Sequence, residues 1–315
     1  MTGRLKNESG FALILTLVIT ALMVAVVVEM IHQVYVDTSL SRGFRDGQQA
    51  SILAESGANG AARLLNMGLS NQTYTSLSDQ WATPLKLDDE AGSLQITISE
   101  ESGKININGL IQQNGEFEPF TQGVLQRLGS RLKLQVDITP AVADWIDSND
   151  QQHSGGYESA YYRSKKPSYS ARNDKIMTLT ELSLVEGIKD SQPDILGKLR
   201  PFLTTFSDQA ASPLPTVNIN TAPVEIVAAL DKGIDDRMAE RIIAERRIQP
   251  FKSIGELSRV PGLDTIATGL GGRITIKGNL FRITSIARVK DSGRTVEAVV
   301  RLSGGMPQVL SWQEY

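Results

Sequence analysis

The residues best suited to chemistry in this 315-residue chain are concentrated in one segment, Asp144-Trp145-Ile146-Asp147-Ser148-Asn149-Asp150-Gln151-Gln152-His153-Ser154-Gly155-Gly156-Tyr157-Glu158. With Asp147 as loop position 1, Asn149 falls at 3, Gln151 at 5 and Glu158 at 12, close to EF-hand oxygen spacing with Glu158 as the bidentate ligand. The glycine such a loop needs at position 6 is Gln152, so the segment is not an EF-hand. Hard oxygens with a single histidine suit Ca²⁺ better than zinc. The same residues also describe a polar, solvated loop whose Asp side chains cap turns. Spacing alone leaves both readings open.

A second segment, residues 217–264, opens with Val217-Asn218-Ile219-Asn220-Thr221-Ala222-Pro223 and resembles helix-hairpin-helix modules of DNA-binding proteins. Thr221 is placed to cap a helix with Pro223 in its first turn. Arg241, Arg246, Arg247 and Lys252 supply positive charge. Phosphate binding at such hairpins needs a Gly-x-Gly turn whose N–H groups face the anion. Here the turns are Gly233-Ile234-Asp235, with Asp231 before and Asp236 after it, and Gly262-Leu263-Asp264. Each puts a carboxylate where a phosphate would sit, which favours a scaffold over a DNA site. The overall charge agrees: 32 Lys+Arg against 35 Asp+Glu, net −3, without the basic excess of a nucleic-acid binder. The chain has no Cys and only His32 and His153, which removes thiol nucleophiles, disulfides and thiolate metal sites. No P-loop or nucleophile elbow is present. The carboxylate pairs Asp88/Asp89 and Glu100/Glu101 fall in turns and read as solvated charge. The chain therefore reads as a non-enzyme.

The elements that hold these segments follow from hydropathy. Phe11–Val28 is an uncharged run, FALILTLVITALMVAVVV, with the apolar stretch extending to Ile31. It is long enough to cross a bilayer as a helix. Arg4 and Lys6 precede it and no Lys or Arg follows until Arg42, so the N-terminus is expected in the cytoplasm. Beyond it Ala50, Leu53, Ala54, Gly57, Ala58, Ala61, Leu64 and Leu65 form a one-sided helical stripe. Strands are expected over roughly 85–110, including Leu94–Ile98 and Lys104–Asn108, and over 273–315. Those at the end include a hairpin around Asp291-Ser292-Gly293 and a terminal VLSWQEY strand. Between them the pattern is helical at 119–133, 138–147, 178–186, 194–203, 221–230, 235–247 and 253–260. The fold class is α+β: a long N-terminal transmembrane helix on a small antiparallel sheet, with a large α-helical domain inserted between sheet strands. The boundaries are a leader at 1–10, a transmembrane helix at 11–31, an α+β domain from 32–112 and 273–315, and an insert at 113–272. Two echoes run through the chain: Ile105-Asn106-Ile107-Asn108 with Val217-Asn218-Ile219-Asn220, and residues 179–188 with 254–263. Duplication and chance both remain open for matches this short.

The junction before the apolar run is specific. A short basic leader ends Ser9-Gly10 and is followed at once by Phe11. This resembles the type III signal of prepilins and pseudopilins, which implies cleavage after Gly10 by a prepilin peptidase, N-methylation of Phe11, and retention of the apolar helix from Phe11 through Leu15 to Val28. The fifth mature residue, usually Glu in that family, is Leu15, which suits a cap better than a repeating shaft subunit. The junction, the Asp144-Trp145-Ile146-Asp147 loop, the Val217–Ala222 segment and the terminal Leu310-Ser311-Trp312 together resemble the minor pseudopilin K family of type II secretion. That resemblance implies a pilin-like fold at the tip of a pseudopilus that exports folded proteins. It also implies assembly with minor pseudopilins I and J, contact with inner-membrane lipid, a single pass with the bulk of the chain periplasmic, and structural Ca²⁺ in the insert. The calcium ligands it suggests are Asp144, Asp147, Asp150 and Glu158. The alternative is a type IV-like or competence pseudopilin that holds DNA through its hairpin region.

Overall fold

The computed structural model describes residues 8–90, 92–188, 195–208 and 214–315. Arg4 and Lys6 of the leader and Asp194 at the start of one expected helix lie outside these residues. In chain order the helices are α1 (Glu8–Leu69), α2 (Pro119–Arg131), α3 (Thr139–Ile146), α4 (Ser159–Arg163), α5 (Ile195–Leu199), α6 (Val224–Ala229), α7 (Asp236–Ile248) and α8 (Leu263–Gly269). The strands are β1 (Leu85–Asp89), β2 (Gly92–Glu100), β3 (Ile105–Asn106), β4 (Leu203–Thr204), β5 (Val217–Asn218), β6 (Ile274–Thr275), β7 (Leu280–Val289), β8 (Ser292–Arg301) and β9 (Gln308–Glu314).

Helix α1 is continuous over 62 residues, roughly 93 Å at 1.5 Å per residue. From Gly10 to Phe44 every side chain is exposed, Phe11, Leu15 and Val28 among them. The buried face begins further on: Ala50 is buried, and Ala54, Ala58, Ala61, Leu65 and Leu69 pack in one cluster with Leu94, Ile96, Phe281, Ile283, Val296 and Val300. Leu64, expected on that face, is exposed. Small side chains let the helix lie close to the sheet. At Gly57 a Cβ would stand 2.5 Å from Ser285 Oγ and 2.9 Å from Leu94 Cδ1.

The sheet order is β1-β2-β7-β8-β9, antiparallel throughout. Strands β2 and β7 are neighbours in space, so residues 101–279 leave and return at adjacent strand ends. The β7–β8 turn is Lys290-Asp291, one residue earlier than expected, because Val289 pairs with Ser292. Lys290 adopts φ 52 there, and its Nζ lies 3.0 Å from Asp46 Oδ2 on α1.

The excursion has its own core, separate from the one under α1. Ile105, Ile107 and Leu110, expected on the sheet side, belong to this second core, as does Ile274 at the other end. Residues 104–108 therefore do not extend the main sheet. Ile105–Asn106 pairs in parallel with Leu203–Thr204, and Val217–Asn218 pairs in parallel with Ile274–Thr275.

These two small ladders frame two units built alike. In the first, Asn106 Oδ1 accepts from Asn108 N at 3.0 Å, and the Asn108 amide binds both Ile176 N and Ile176 O. In the second, Asn218 Oδ1 accepts from Asn220 N at 3.0 Å, and the Asn220 amide binds both Phe251 N and Phe251 O. Each anchored residue is followed by a short 3₁₀ helix, Leu179–Leu184 or Ile254–Arg259. A left-handed glycine then follows, Gly187 or Gly262 (φ 85 and 87), and beyond it comes α5 or α8. The echoes in the sequence thus mark one local structure formed twice. Several expected helices shorten accordingly: 178–186 and 253–260 are 3₁₀, and 194–203 splits into α5, a 3₁₀ turn and β4. Helix α6 starts at Val224 with Pro223 at its cap, while the Thr221 hydroxyl turns instead to Glu100.

Candidate functional site

Helix α3 builds the acidic centre. Asp137 Oδ1 accepts from Thr139 N (2.9 Å) and Oγ1 (2.7 Å), and Pro140 occupies the first turn. Asp144 and Asp147, three residues apart, emerge on one face at the helix C-terminus. The negative end of the helix dipole makes that a poor place for two carboxylates. Both are buried, 0% and 3% exposed, and Glu158 joins them at 7%. His153 Nδ1 lies 2.6 Å from Asp144 Oδ1 and 3.7 Å from Asp147 Oδ2. The loop can close this tightly because residue 156 is glycine: a Cβ there would lie 2.2 Å from Asp144 Oδ2.

The hydrogen bonding is incomplete in a revealing way. Asp144 Oδ2, both oxygens of Asp147 and both oxygens of Glu158 are buried without a hydrogen-bond partner among the described residues. Burial, then Asp144, Asp147 and Asp150, push the Glu158 carboxyl up from 4.5 to about 7. Burial and the Asp144 charge likewise raise Asp147, offset in part by His153 and Asn149. Buried, unpaired acids of this kind are satisfied either by protons or by a cation. The ligand atoms that lie within 4.8 Å of one another are those of Asp144, Asp147 and His153, a set of two carboxylates and one ring nitrogen that could hold a divalent ion, with Glu158 the further acid that feels both aspartates.

Not every predicted ligand joins this cluster. Asp150 is exposed, Asn149 spends its Oδ1 on the backbone N of Gln151 (2.7 Å), and Gln151 is exposed. His153 and Gly156 belong to the centre although the oxygen-spacing argument passed over them; the Gly155-Gly156 pair was the available signal.

The hairpin region resolves as a packing device. Asp231 Oδ1 accepts from Gly233 N and Asp235 Oδ1 from Met238 N, each at 2.7 Å, so the turn carboxylates take up turn and helix amides themselves. Arg246, one of the basic residues on which the DNA-holding alternative would rely, is buried and donates to Ile219 O at 2.6 Å. Burial, with Arg247 nearby, lowers its pKa to about 10.

The two units coincide with two matches to known sequence families, each described as type II secretion system (T2SS), protein K: one covers residues 103–208 and the other 217–277. Type II secretion system protein K of Pseudomonas aeruginosa is 30% identical over 269 residues, covering 81% of this chain and 77% of that protein. The chain belongs to the protein K family of type II secretion systems. Protein K of Aeromonas hydrophila is 24% identical over 321 residues, spanning 93% of both chains. The fold also matches a chain in the crystal structure of the GspK-GspI-GspJ complex from enterotoxigenic Escherichia coli. That match has a TM-score of 0.71 at 21% identity and covers 87% of this chain and 99% of the other. As a protein K this is a minor pseudopilin of type II secretion, and α1 is the one helix among the described residues long and apolar enough to cross a membrane.

Proposed function

We propose that this protein K initiates and caps the tip of the pseudopilus, in complex with minor pseudopilins I and J. The observation that carries the reading is the shape of the chain. A single helix exposes an unbroken apolar surface for lipid or sister helices, and residues 101–279 project as one body from a single end of the sheet. A subunit with that much mass beyond its sheet leaves little room for another on top. Before assembly, Phe11–Ile31 holds the chain in the inner membrane, with the leader cytoplasmic and the sheet and insert periplasmic. Prepilin peptidase cuts between Gly10 and Phe11 and methylates Phe11. Ca²⁺, supplying charge neutralisation and no chemistry, is held by Asp144, Asp147 and Glu158. The likeness to a chain from a GspK-GspI-GspJ complex supports the choice of partners.

Co-expression of the full chain with pseudopilins I and J, detergent extraction and co-purification tests the assembly. Recovery of a stable ternary complex is expected, and full-chain protein K that purifies alone would refute it. Gly10→Ala is expected to leave the precursor uncut by mass spectrometry and to abolish secretion; normal processing would refute the junction.

A further inference from the structure

Glu100 and Glu101, placed in a solvated turn by the sequence, are 6% and 0% exposed. They stand at the end of β2 where the chain leaves the sheet, and each ties one unit of the insert to it. Glu101 binds Lys104 at 2.6 Å, Arg282 at 3.0 Å and the Thr204 hydroxyl of the first unit. Glu100 instead meets the second unit. Its Oε1 accepts from Asn218 Nδ2 at 2.7 Å and from Thr221 Oγ1 at 3.2 Å.

Glu100 has no ion-pair partner among the described residues, and its Oε2 has no hydrogen-bond partner; nor does the neighbouring Ser102 Oγ. Four segments pack around it. From the turn after α1 come Thr75 and the charge of Asp79, which is repulsive. From the second unit come Asn218 and Thr221, both uncharged. From the loop before β7 comes Gly278, where a Cβ would lie 1.9 Å from Oε1 and 2.6 Å from Ser102 Oγ. Directly after β2 comes Glu101, whose side chain is taken up by Lys104 and Arg282. No cation among the described residues pairs with the carboxyl, and Gly278 stands against it where no side chain would fit.

We propose that Glu100 is a neutral carboxylic acid that latches the second unit of the insert onto the sheet, and that loss of its proton in mildly alkaline solution releases the latch. Two hydrogen bonds to Oε1 and none to Oε2 suit a group protonated at Oε2. Burial raises its pKa to about 7, against the partial offset of bonds from Asn218, Thr75 and Thr221. Because the folded value lies above the unfolded 4.5, the stabilisation is complete below about pH 4.5 and decays as pH rises through 7. The seam then loosens on the second-unit side while Glu101 keeps the first unit attached.

Hydrogen exchange of the full chain in detergent micelles tests this, read by peptide mass spectrometry between about pH 5.5 and 8.5. In peptides spanning 217–222 and 274–280, protection corrected for intrinsic rates is expected to fall by up to about tenfold per pH unit as pH rises towards 7 and to level off above it, with peptides over 105–108 unchanged. Glu100→Gln, which keeps an acceptor and puts a donor at the orphaned position, is expected to hold low-pH protection across the range. In the difference between the unaltered chain and Glu100→Gln, where the Glu158 contribution cancels, a protonated-carboxyl infrared band is expected at low pH and is lost on alkalinisation. A Gln variant that retains the wild-type pH profile overturns the proposal. So does a difference with no such band at low pH.

Discussion

The two units of the insert share a frame and differ in one connection. In the second unit the chain passes from the end of α7 to the anchored Phe251 through residues 249–250. In the first it passes from the end of α3 to the anchored Ile176 through residues 147–175. That longer path carries α4, Asp147, His153 and Glu158, and also Tyr162 and Tyr169, whose rings pack with Trp145 of α3. The frame of paired asparagine, parallel two-residue ladder and 3₁₀ turn needs few residues and tolerates a detour between its anchors. The chemistry of the insert therefore sits in the detour of one copy, while the other copy shows the frame alone.

The attachment of the first unit should give the largest effect. Removing one member of a buried ion pair leaves the rest uncompensated and costs about 3–5 kcal/mol. Glu101→Gln deprives Lys104 and Arg282 together, and because Arg282 keeps Glu297, about 3 kcal/mol is expected in denaturant unfolding of the full chain. The pH dependence carries the opposite sign to that of Glu100. Burial alone would raise Glu101, but Lys104 and Arg282 outweigh it and hold the carboxyl below 4.5. Its contribution is complete above pH 4.5 and is lost as pH falls through its lower folded value, so Glu101→Gln should flatten the acid limb of the stability profile. An unchanged acid limb would mean that the first unit is held by something else.

The shared frame is tested by matched substitutions. Asn220 is 1% exposed and makes three side-chain bonds, to Phe251 N, Phe251 O and Ile276 O. At about 1 kcal/mol each, Asn220→Ala should cost about 3 kcal/mol. Asn108, with the equivalent bonds to Ile176 but half-buried, should lose less, about 2 kcal/mol in Asn108→Ala. Equal and negligible losses would break the equivalence of the units.

The same contrast explains what could be read from the residues beforehand. The long apolar helix and the placing of strands on either side of a helical stretch follow from hydropathy and alternation, which depend on local sequence. The asparagine echoes were visible too, yet their meaning was not, because Asn108 and Asn220 act on residues far along the chain. Glu100 and Glu101 were misplaced for a related reason. A turn-like Ser-Glu-Glu-Ser-Gly looks solvated until β7 and both units close over it. At the acidic loop, composition pointed to the right region but not to the members, because burial rather than spacing separates Asp147 from Asp150.

That separation gives the metal prediction and, in its control, the smallest effect. With Ca²⁺ at one hundred times its Kd, an ion bound only by the folded chain adds about 2.7 kcal/mol, which would appear as a raised thermal midpoint that a chelator reverses. Asp147→Asn should remove the response without destabilising the metal-free chain, since it deletes a buried carboxylate that lacks a hydrogen-bond partner and is repelled by Asp144. Nothing comparable should occur in the second unit, whose 249–250 link has no acidic side chain. Asp150→Asn is the sharper control. Its carboxylate is already hydrated, so the metal-free chain should change by less than about 0.5 kcal/mol. If the ion is held by Asp144, Asp147 and Glu158, calcium should still raise the midpoint in this variant. A calcium response lost in Asp150→Asn yet retained in Asp147→Asn would show that the ion sits at the loop's surface, and that the buried acids are kept neutral by protons instead.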